Sequence, residues 1–236
     1  LSKTVKVLGP GESQVEEMLA PLLKDNEDYT IALLAVEGEI HIRITVEGKN
    51  EEDSRTKMDD LTGNVIDIMG DNVIGFDEQT LAGSLAEKLQ ADGLILAIAE
   101  SCTGGLVSKL ITDLPGSSKY LWGSIISYSN EAKKRLLHVK DETLDKFGAV
   151  SRETAVEMVR GVIEVSGADV GIAITGIAGP GGGTDEKPVG LVYIAAAGPG
   201  FTKVKPMRFV GNREAIRVLA AKSALDLLRR NLISRR

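Results

Sequence analysis

The chain has 236 residues, a formal net charge of −6 and 43% hydrophobic residues, which suffices for one large or two small domains with cores. No apolar run approaches the length that a membrane-spanning helix needs. One cysteine excludes an internal disulfide and a cysteine-based zinc site, and two histidines argue against a histidine-rich metal centre. We therefore predict a cytoplasmic protein that contacts no membrane and needs no metal or cofactor.

Residues 1–76 predict a small α+β domain. Its predicted elements are a strand at 5–8, a helix capped by Ser13 with apolar positions up to Leu23, strands at 30–36 and 39–46, and a helix at 50–69. The strand at 39–46 alternates polar and apolar residues, so we expect it to face water on one side. This part carries 7 Lys and Arg against 16 Asp and Glu, a balance that should repel nucleic acid.

Residues 77–236 predict a second domain in which strands and helices alternate. Its predicted strands are 94–99, 121–128, 169–175, 189–197 and 202–210, and its predicted helices are 79–92, 104–113, 130–137, 141–147, 151–165 and 212–232. This order favours a three-layer α/β/α sheet whose last two strands are antiparallel. The domain carries 21 Lys and Arg against 18 Asp and Glu, so it could accept a phosphorylated small molecule.

The segment 94–105 joins an apolar strand directly to a helix through a turn of small residues. Such a turn directs backbone N–H groups and the positive end of the helix dipole to one point, where Ser101 lies. Ser101 is therefore either a nucleophile beside an oxyanion hole or part of an anion site. The alternative is that it only caps the helix. Cys102 is a rival nucleophile, but without an imidazole partner we expect it to be a packed small side chain.

A serine nucleophile needs a proton acceptor, and neither His41 nor His138 is an obvious partner. A lysine or a tyrosine must then act, as in serine–lysine hydrolases. Tyr128 lies at the carboxyl end of a strand and Lys133 follows in the next helix, so both are predicted at the sheet edge where ligands bind in open α/β sheets. Burial and a helix terminus would have to lower the lysine pKa. The alternative is a solvated lysine on the helix surface.

The glycine-rich loop at 175–184 leaves another strand at the same edge. Its glycines would let backbone amides approach a ligand closely. The loop is not a P-loop, because no Gly-Lys-Ser/Thr follows, and Pro180 breaks the dinucleotide fingerprint. A flexible linker is the alternative. Arg213, at the start of the last helix, either binds a phosphate or carboxylate or is a surface charge.

Taken together, these segments resemble the CinA family. The matching pieces occur in family order across residues 79–236, and they are 99–105, 128–130 with Lys133, 148–151, 175–180 and 188–192. The resemblance implies that this domain is a nicotinamide-nucleotide amidase, which hydrolyses nicotinamide mononucleotide to nicotinic acid mononucleotide and ammonia. Residues 1–76 resemble the KH-like domain that precedes it in longer members.

The resemblance also implies residue roles. Ser101 resembles the nucleophile, with Tyr128 and Lys133 as its activating pair. The residues that we predict to bind the substrate, the pyridine mononucleotide, are Glu100, Thr103, Gly104, Gly105, Thr175, Gly176, Gly179 and Arg213. Arg208 and Arg217 are nearby alternatives for the arginine. We also predict a homodimer.

Two family features are not matched. Longer members carry an N-terminal molybdopterin-binding-like domain associated with ADP-ribose hydrolysis, and this sequence has no match to it, so we expect that activity to be absent. A KH module that binds nucleic acid uses a Gly-x-x-Gly loop, and residues 1–76 contain none. We expect this domain to space other domains or to form an oligomer contact.

Three hypotheses follow for the function. The first is a serine amidohydrolase that acts on a pyridine nucleotide. The second is a non-catalytic module that only binds a nucleotide. The third is an assembly protein linked to competence or DNA damage.

Overall fold

The computed structural model describes residues 1–24 and 28–233, and the chain divides into two compact units, Leu1–Ser84 and Leu85–Arg236. The predicted domain boundary after residue 76 stays a prediction. The elements up to the division are β1 (Ser2–Leu8), α1 (Glu12–Leu19), β2 (Tyr29–Val36), β3 (Glu39–Val46), α2 (Glu51–Met69), β4 (Val73–Phe76) and α3 (Leu81–Ala91), which spans it. The later elements are β5 (Leu96–Glu100), α4 (Leu106–Thr112), β6 (Leu121–Ile126), α5 (Asn130–Leu137), α6 (Asp141–Phe147), α7 (Arg152–Ser166), β7 (Val170–Gly176), β8 (Leu191–Gly198), β9 (Phe201–Arg208) and α8 (Arg213–Ile233).

The first unit is a four-stranded antiparallel sheet of order β2-β3-β1-β4 with helices α1 and α2 packed against it. The alternating strand was predicted correctly, because Ile40, Ile42 and Ile44 point into the core while Arg43 is exposed. The sequence did not predict β4. That strand has only four residues and takes its place by pairing with β1.

The predicted helix cap at Ser13 is wrong. Helix α1 begins at Glu12, and its N-cap is Gly11, whose N–H donates to Gln14 Oε1 at 3.0 Å. Ser13 therefore lies inside the first turn. The helix also ends at Leu19, earlier than predicted. Pro21 follows within two residues and has no backbone N–H to continue the helical hydrogen bonds.

The second unit contains a five-stranded sheet of order β6-β5-β7-β8-β9. Strand β5 pairs in parallel with β6 and β7, whereas β7–β8 and β8–β9 are antiparallel. Helix α7 packs against β5, β7 and β8, and α8 packs against β7, β8 and α4. The small residues Ala97, Ala99 and Ala173 face α7, and successive strand residues face opposite sides. The three-layer α/β/α arrangement beside a small α+β unit was predicted correctly.

The caps of α7 and α8, the two longest helices of the second unit, are formed by the residues that the sequence predicted. The Ser151 hydroxyl accepts a hydrogen bond from the Thr154 N–H at 3.1 Å, and the Asn212 side chain accepts one from the Ala215 N–H at 2.9 Å. Each cap satisfies a donor that the first helical turn leaves unpaired. The beginning of α8 beside the glycine-rich loop is fixed in this way.

One irregularity sets the register between β5 and β6. Leu96 pairs with Leu121 but Ala97 pairs with Gly123, so Trp122 is an extra residue in β6. After this bulge the register is regular to the carboxyl ends, where the Ser127 N–H donates to the Glu100 carbonyl at 2.8 Å.

No helix within residues 1–24 and 28–233 is both long enough and apolar enough to cross a membrane.

Candidate active site

Ser101 is the first residue after β5, and only 8% of its surface is exposed. Its N–H donates to the Ile174 carbonyl at 3.0 Å, and its own carbonyl accepts from the Gly104 N–H at 3.1 Å. Gly104 and Gly105 have φ angles of 57° and 96°, which side-chain-bearing residues rarely adopt. The two glycines therefore permit the tight turn that leads from Ser101 into α4.

Glu100 does not contact the cavity, contrary to its predicted role in substrate binding. Its side chain is fully buried, and its two oxygens accept hydrogen bonds from the N–H groups of Gly105, Val107 and Ser108 at 2.9, 3.2 and 2.9 Å. The Ser108 hydroxyl donates a further bond at 2.7 Å. The N-terminus of α4 thus already holds an anion from the chain itself, which fixes the turn after Ser101.

Lys133 lies in the first half of α5, and only 1% of its surface is exposed. Its Nζ lies 3.1 Å from the Ser101 Oγ, 2.8 Å from the Ser127 carbonyl oxygen and 3.3 Å from the Tyr128 carbonyl oxygen. Burial lowers the pKa of this lysine to about 8. The alternative of a solvated surface lysine is wrong.

The two carbonyl contacts orient the Lys133 amine. A neutral amine has two N–H donors and one lone pair. If the N–H groups donate to the carbonyl oxygens of Ser127 and Tyr128, the lone pair faces the Ser101 hydroxyl. This geometry suits a base that accepts the serine proton directly.

Cys102 lines the same cavity, but its chemistry differs from that of Ser101. Burial raises the pKa of its thiol to about 11, so the thiolate is scarce at neutral pH. Lys133 Nζ contacts the Ser101 hydroxyl at 3.1 Å. The arrangement therefore favours the oxygen nucleophile.

Tyr128 presents its backbone and its side chain to different partners. Its carbonyl accepts from Lys133, whereas its hydroxyl accepts from Arg213 Nη2 at 3.2 Å. The ring is 62% exposed at the rim. Because Lys133 contacts Ser101 directly, the serine proton does not need the tyrosine as a relay.

The arginines of α8 tie the loops together. Arg213 Nη1 donates to the Gly179 carbonyl at 2.7 Å, which joins the glycine-rich loop to the rim. Arg217, one helical turn later, donates from Nη2 to the Thr103 carbonyl at 2.6 Å. Arg217 therefore supports the serine turn, a role that the sequence did not reveal.

A cavity of about 260 Å³ lies in front of Ser101. Seven predicted site residues line it, namely Ser101, Tyr128, Lys133, Thr175, Gly176, Gly179 and Arg213. Four do not, namely Glu100, Thr103, Gly104 and Gly105, because these four belong to the turn beneath it. The lining residues that sequence reasoning did not assign as ligand contacts are Cys102, Ala149, Val150, Ile177 and Ala178. Gly181 and Gly182 belong to the glycine-rich loop that was expected to approach a ligand. For Ala149 and Val150, the segment 148–151, which matches the CinA family, could have given the signal.

The glycines of the loop have different reasons to be glycine. A Cβ at Gly176 would lie 2.6 Å from Val192 Cγ2, and one at Gly179 would lie 2.6 Å from Val189 Cγ1. Packing therefore requires both glycines, Gly176 against β8 and Gly179 against the segment that leads into it, although both line the cavity. Thr175 is also engaged, since its hydroxyl donates to the Ala149 carbonyl at 2.7 Å.

Within the described residues, no group of three or more His, Cys, Asp and Glu side chains is placed to hold a metal ion.

The second unit is thus an α/β domain that carries a buried serine–lysine pair at the carboxyl edge of its sheet. The chain is a member of the CinA family. Residues 78–232 match the CinA C-terminal domain, and residues 2–75 match the damage-inducible protein CinA KH domain.

Similar proteins agree with this assignment. A CinA-like protein of Syntrophomonas wolfei is 55% identical over 98% of this chain and 55% of its own length. A putative competence-damage inducible protein of Acetivibrio thermocellus is 44% identical over 98% of this chain and 56% of its own. The chain thus spans about half the length of these relatives.

Solved structures resemble about two thirds of the chain. The competence/damage inducible protein CihA of Agrobacterium tumefaciens is 42% identical, with a TM-score of 0.61, over 64% of this chain and 95% of its own. A CinA superfamily protein of Klebsiella pneumoniae is 37% identical, with a TM-score of 0.62, over 64% of this chain and 94% of its own.

Proposed function

We propose that this chain is a nicotinamide-nucleotide amidase that hydrolyses nicotinamide mononucleotide to nicotinic acid mononucleotide and ammonia. The observation that carries the proposal is the 3.1 Å contact between the buried Lys133 Nζ and the Ser101 Oγ. A site that only binds a nucleotide has no need of a buried base against a hydroxyl. The substrate itself is taken from the CinA resemblance.

In the proposed mechanism, the neutral Lys133 amine accepts the Ser101 proton as the Oγ attacks the amide carbon. The backbone N–H of Cys102, the residue after the nucleophile, is proposed to donate to the developing oxyanion. Collapse of the tetrahedral intermediate breaks the C–N bond, and Lys133 returns the proton to the leaving ammonia. The product of this half-reaction is an acyl ester on Ser101.

The second half-reaction uses the same groups. Lys133 takes a proton from water, the resulting hydroxide attacks the acyl carbon, and the bond to Ser101 Oγ breaks. The proton then returns to Ser101, and the carboxylate product leaves. Tyr128 and Arg213, joined by a 3.2 Å hydrogen bond at the rim, are proposed to hold the substrate rather than to move the proton.

The direct test is ammonia release from nicotinamide mononucleotide, with the acid product identified by chromatography. Ser101→Ala is the inactive reference, and Ser118→Ala, at an exposed serine, is the matched control. Release by the wild type and by Ser118→Ala, but not by Ser101→Ala, supports the proposal. Tight binding of the nucleotide without ammonia release would instead identify a binding module and refute the amidase.

The location and the assembly are part of the same proposal. We propose a cytoplasmic homodimer, on the basis of the CinA resemblance and of the single free cysteine. Trp122 and Ile126, each 49% exposed on the edge strand β6, offer apolar surface for a partner copy. Sedimentation equilibrium tests this assembly, and a monomer at micromolar concentration would refute it.

A further inference from the structure

We propose that Ser127 is a positioning residue for the proposed base: its buried hydroxyl accepts a hydrogen bond from the Lys133 ammonium while that group holds the proton taken from Ser101. The inference rests on the proposed function and deepens it by adding a second hydroxyl to the serine–lysine pair. Ser127 itself neither gains nor loses a proton in this role. It does not line the cavity, so it acts through Lys133 and not on the substrate.

The side chain of Ser127 is an unpaired polar group in the protein interior. It is fully buried, yet its hydroxyl has no hydrogen-bond partner within residues 1–24 and 28–233. Such a group destabilises the fold, because it has lost its contacts with water and gained none in return. The backbone of Ser127 is engaged, since its carbonyl oxygen lies 2.8 Å from Lys133 Nζ. The unpaired hydroxyl therefore belongs to the residue that already orients the proposed base.

The strand register puts this hydroxyl on the same side of the sheet as the nucleophile. Ala99 pairs with Ile125 in the parallel ladder, and both pack against the core cluster on the α7 side. Ser101 and Ser127 lie two residues further along their strands, and the ladder reaches them, because the Ser127 N–H donates to the carbonyl of the residue before Ser101 at 2.8 Å. Side chains two residues apart in a strand share a face, so the two serine side chains are neighbours on one face. Lys133 Nζ, 3.1 Å from the Ser101 Oγ, lies on that face as well.

The two protonation states of Lys133 need different numbers of acceptors. The neutral amine has two N–H donors, for the carbonyl oxygens of Ser127 and Tyr128, and a lone pair that faces Ser101. The ammonium has three N–H donors. Its third donor faces the Ser101 oxygen, which is a weak acceptor once it is bonded to the substrate carbon. In the proposed role, rotation of the Ser127 side chain brings its hydroxyl oxygen to this third donor until the leaving nitrogen takes the proton.

The other ionisable groups near Lys133 are engaged elsewhere or are not acceptors. Cys102, on the serine turn, interacts with Lys133 by charge, but burial raises the pKa of its thiol to about 11 and keeps it protonated. Glu100 accepts its hydrogen bonds at the start of α4, and Glu157 of α7, the helix packed against α5, accepts its bonds from the start of α6. Arg213, at the rim, is a donor.

The experiment measures kcat and KM for ammonia release at pH 7 and pH 9 in Ser127→Ala. Loss of an acceptor for the charged amine should lower the midpoint of the pH profile of kcat/KM by about one unit. We expect kcat to fall about tenfold at pH 9 and much less at pH 7, where a larger fraction of the amine has become neutral. KM should stay unchanged. Ser127→Thr keeps a hydroxyl and should retain the wild-type profile.

Ser124→Ala is the matched control. Ser124 lies on the same strand, and its buried hydroxyl also lacks a partner in the described part of the chain, but it faces the other side of the sheet. This variant should leave kcat and the midpoint unchanged. The inference is overturned by an unchanged midpoint in Ser127→Ala, by an equal loss of kcat at both pH values, by the same loss in Ser127→Thr, or by the same shift in Ser124→Ala.

A second measurement needs no substrate. NMR of the protein with ¹³C-labelled lysine follows the titration of Lys133 directly, and the loss of one signal in Lys133→Met assigns it. The midpoint in Ser127→Ala should lie about one unit below that of the wild type, and equal midpoints would overturn the inference. Because this titration is measured even if the protein releases no ammonia, failure of the amidase and failure of the role of Ser127 are distinguishable.

Discussion

Replacing Lys133 by methionine is expected to change the activity and the stability of the protein in opposite directions. Burial lowers the pKa of Lys133 from 10.5 to about 8, so the folded state disfavours the charged amine that the unfolded chain accommodates. A difference of this size corresponds to about 3 kcal/mol of stability. The cost is present in full below pH 8 and disappears as the pH rises towards 10.5, where the unfolded chain also loses the proton.

Lys133→Met removes the ionisable group and therefore the free-energy cost of burying a charged amine. We expect the variant to be more stable than the wild type by up to about 3 kcal/mol at pH 7, and this difference should shrink as the pH rises. The measurement is urea unfolding at pH 7 and at pH 9.5. Lys119→Met, at an exposed lysine, is the control and should leave the stability nearly unchanged at both values. If Lys133→Met is less stable than the wild type at pH 7, the charged Lys133 amine does not destabilise the folded state as described.

The same pKa predicts the shape of the activity profile. Only a neutral amine can accept the Ser101 proton, so the rate should rise about tenfold between pH 7 and pH 9 and then become constant. Lys133→Met should be inactive at every pH, and Lys133→Arg should be inactive as well, because a guanidinium stays protonated. A rate that is independent of pH between 7 and 9, or substantial activity in Lys133→Arg, would refute Lys133 as the base.

Five further changes test the site and its surroundings. Ser101→Ala should reduce ammonia release by about 10³-fold or more, whereas Cys102→Ala should retain most of it; the opposite pattern would make the thiol the nucleophile. Glu100→Gln should lower the stability by about 3 kcal/mol in urea unfolding, because an amide cannot accept all the bonds that the carboxylate accepts at the start of α4; wild-type stability would contradict this structural role. Tyr128→Phe should reduce kcat/KM by about tenfold, far less than loss of the lysine, since the hydroxyl contacts an arginine rather than the proposed nucleophile. A loss as large as that of Lys133→Met would indicate that Tyr128 relays the Ser101 proton. A protein of residues 76–236 should keep its activity, because every cavity-lining residue lies within that range; a folded but inactive fragment would show that the preceding residues contribute.

The fold was largely predictable because its elements have strong local signals. The strand before Ser101 is apolar from Leu96 to Ala99, and Asn212 caps the long helix α8. Of the elements that were missed or misplaced, one depends on tertiary pairing and the other on a local side-chain contact. The strand 73–76 is too short for a periodic pattern, and the cap at Gly11 uses the Gln14 side chain rather than a hydroxyl of its own.

The sequence predicted most of the residues that lie together at the cavity, but not the hydrogen-bond partners of each. The topology of parallel strands placed Ser101 and Tyr128 at one edge, and the structure brings Lys133 there too. The sequence did not show that Glu100 points down into the start of α4, since a carboxylate next to a nucleophile is equally compatible with ligand contact. It also did not distinguish Arg213 from Arg217, which lie on the same helix one turn apart and bond to different loops.

The extra residue Trp122 in β6 shifts the position of the residues that follow it relative to β5. Beyond it, each residue of β6 stands one step further back relative to β5 than an unbroken ladder would place it. One step along a strand is about 3.3 Å, which is slightly more than the 3.1 Å between Lys133 Nζ and Ser101 Oγ. Loss or gain of a single residue in this strand is therefore expected to separate Lys133 from Ser101 although both side chains remain. The relative position of these two residues is set by strand pairing at Trp122, which does not itself line the cavity.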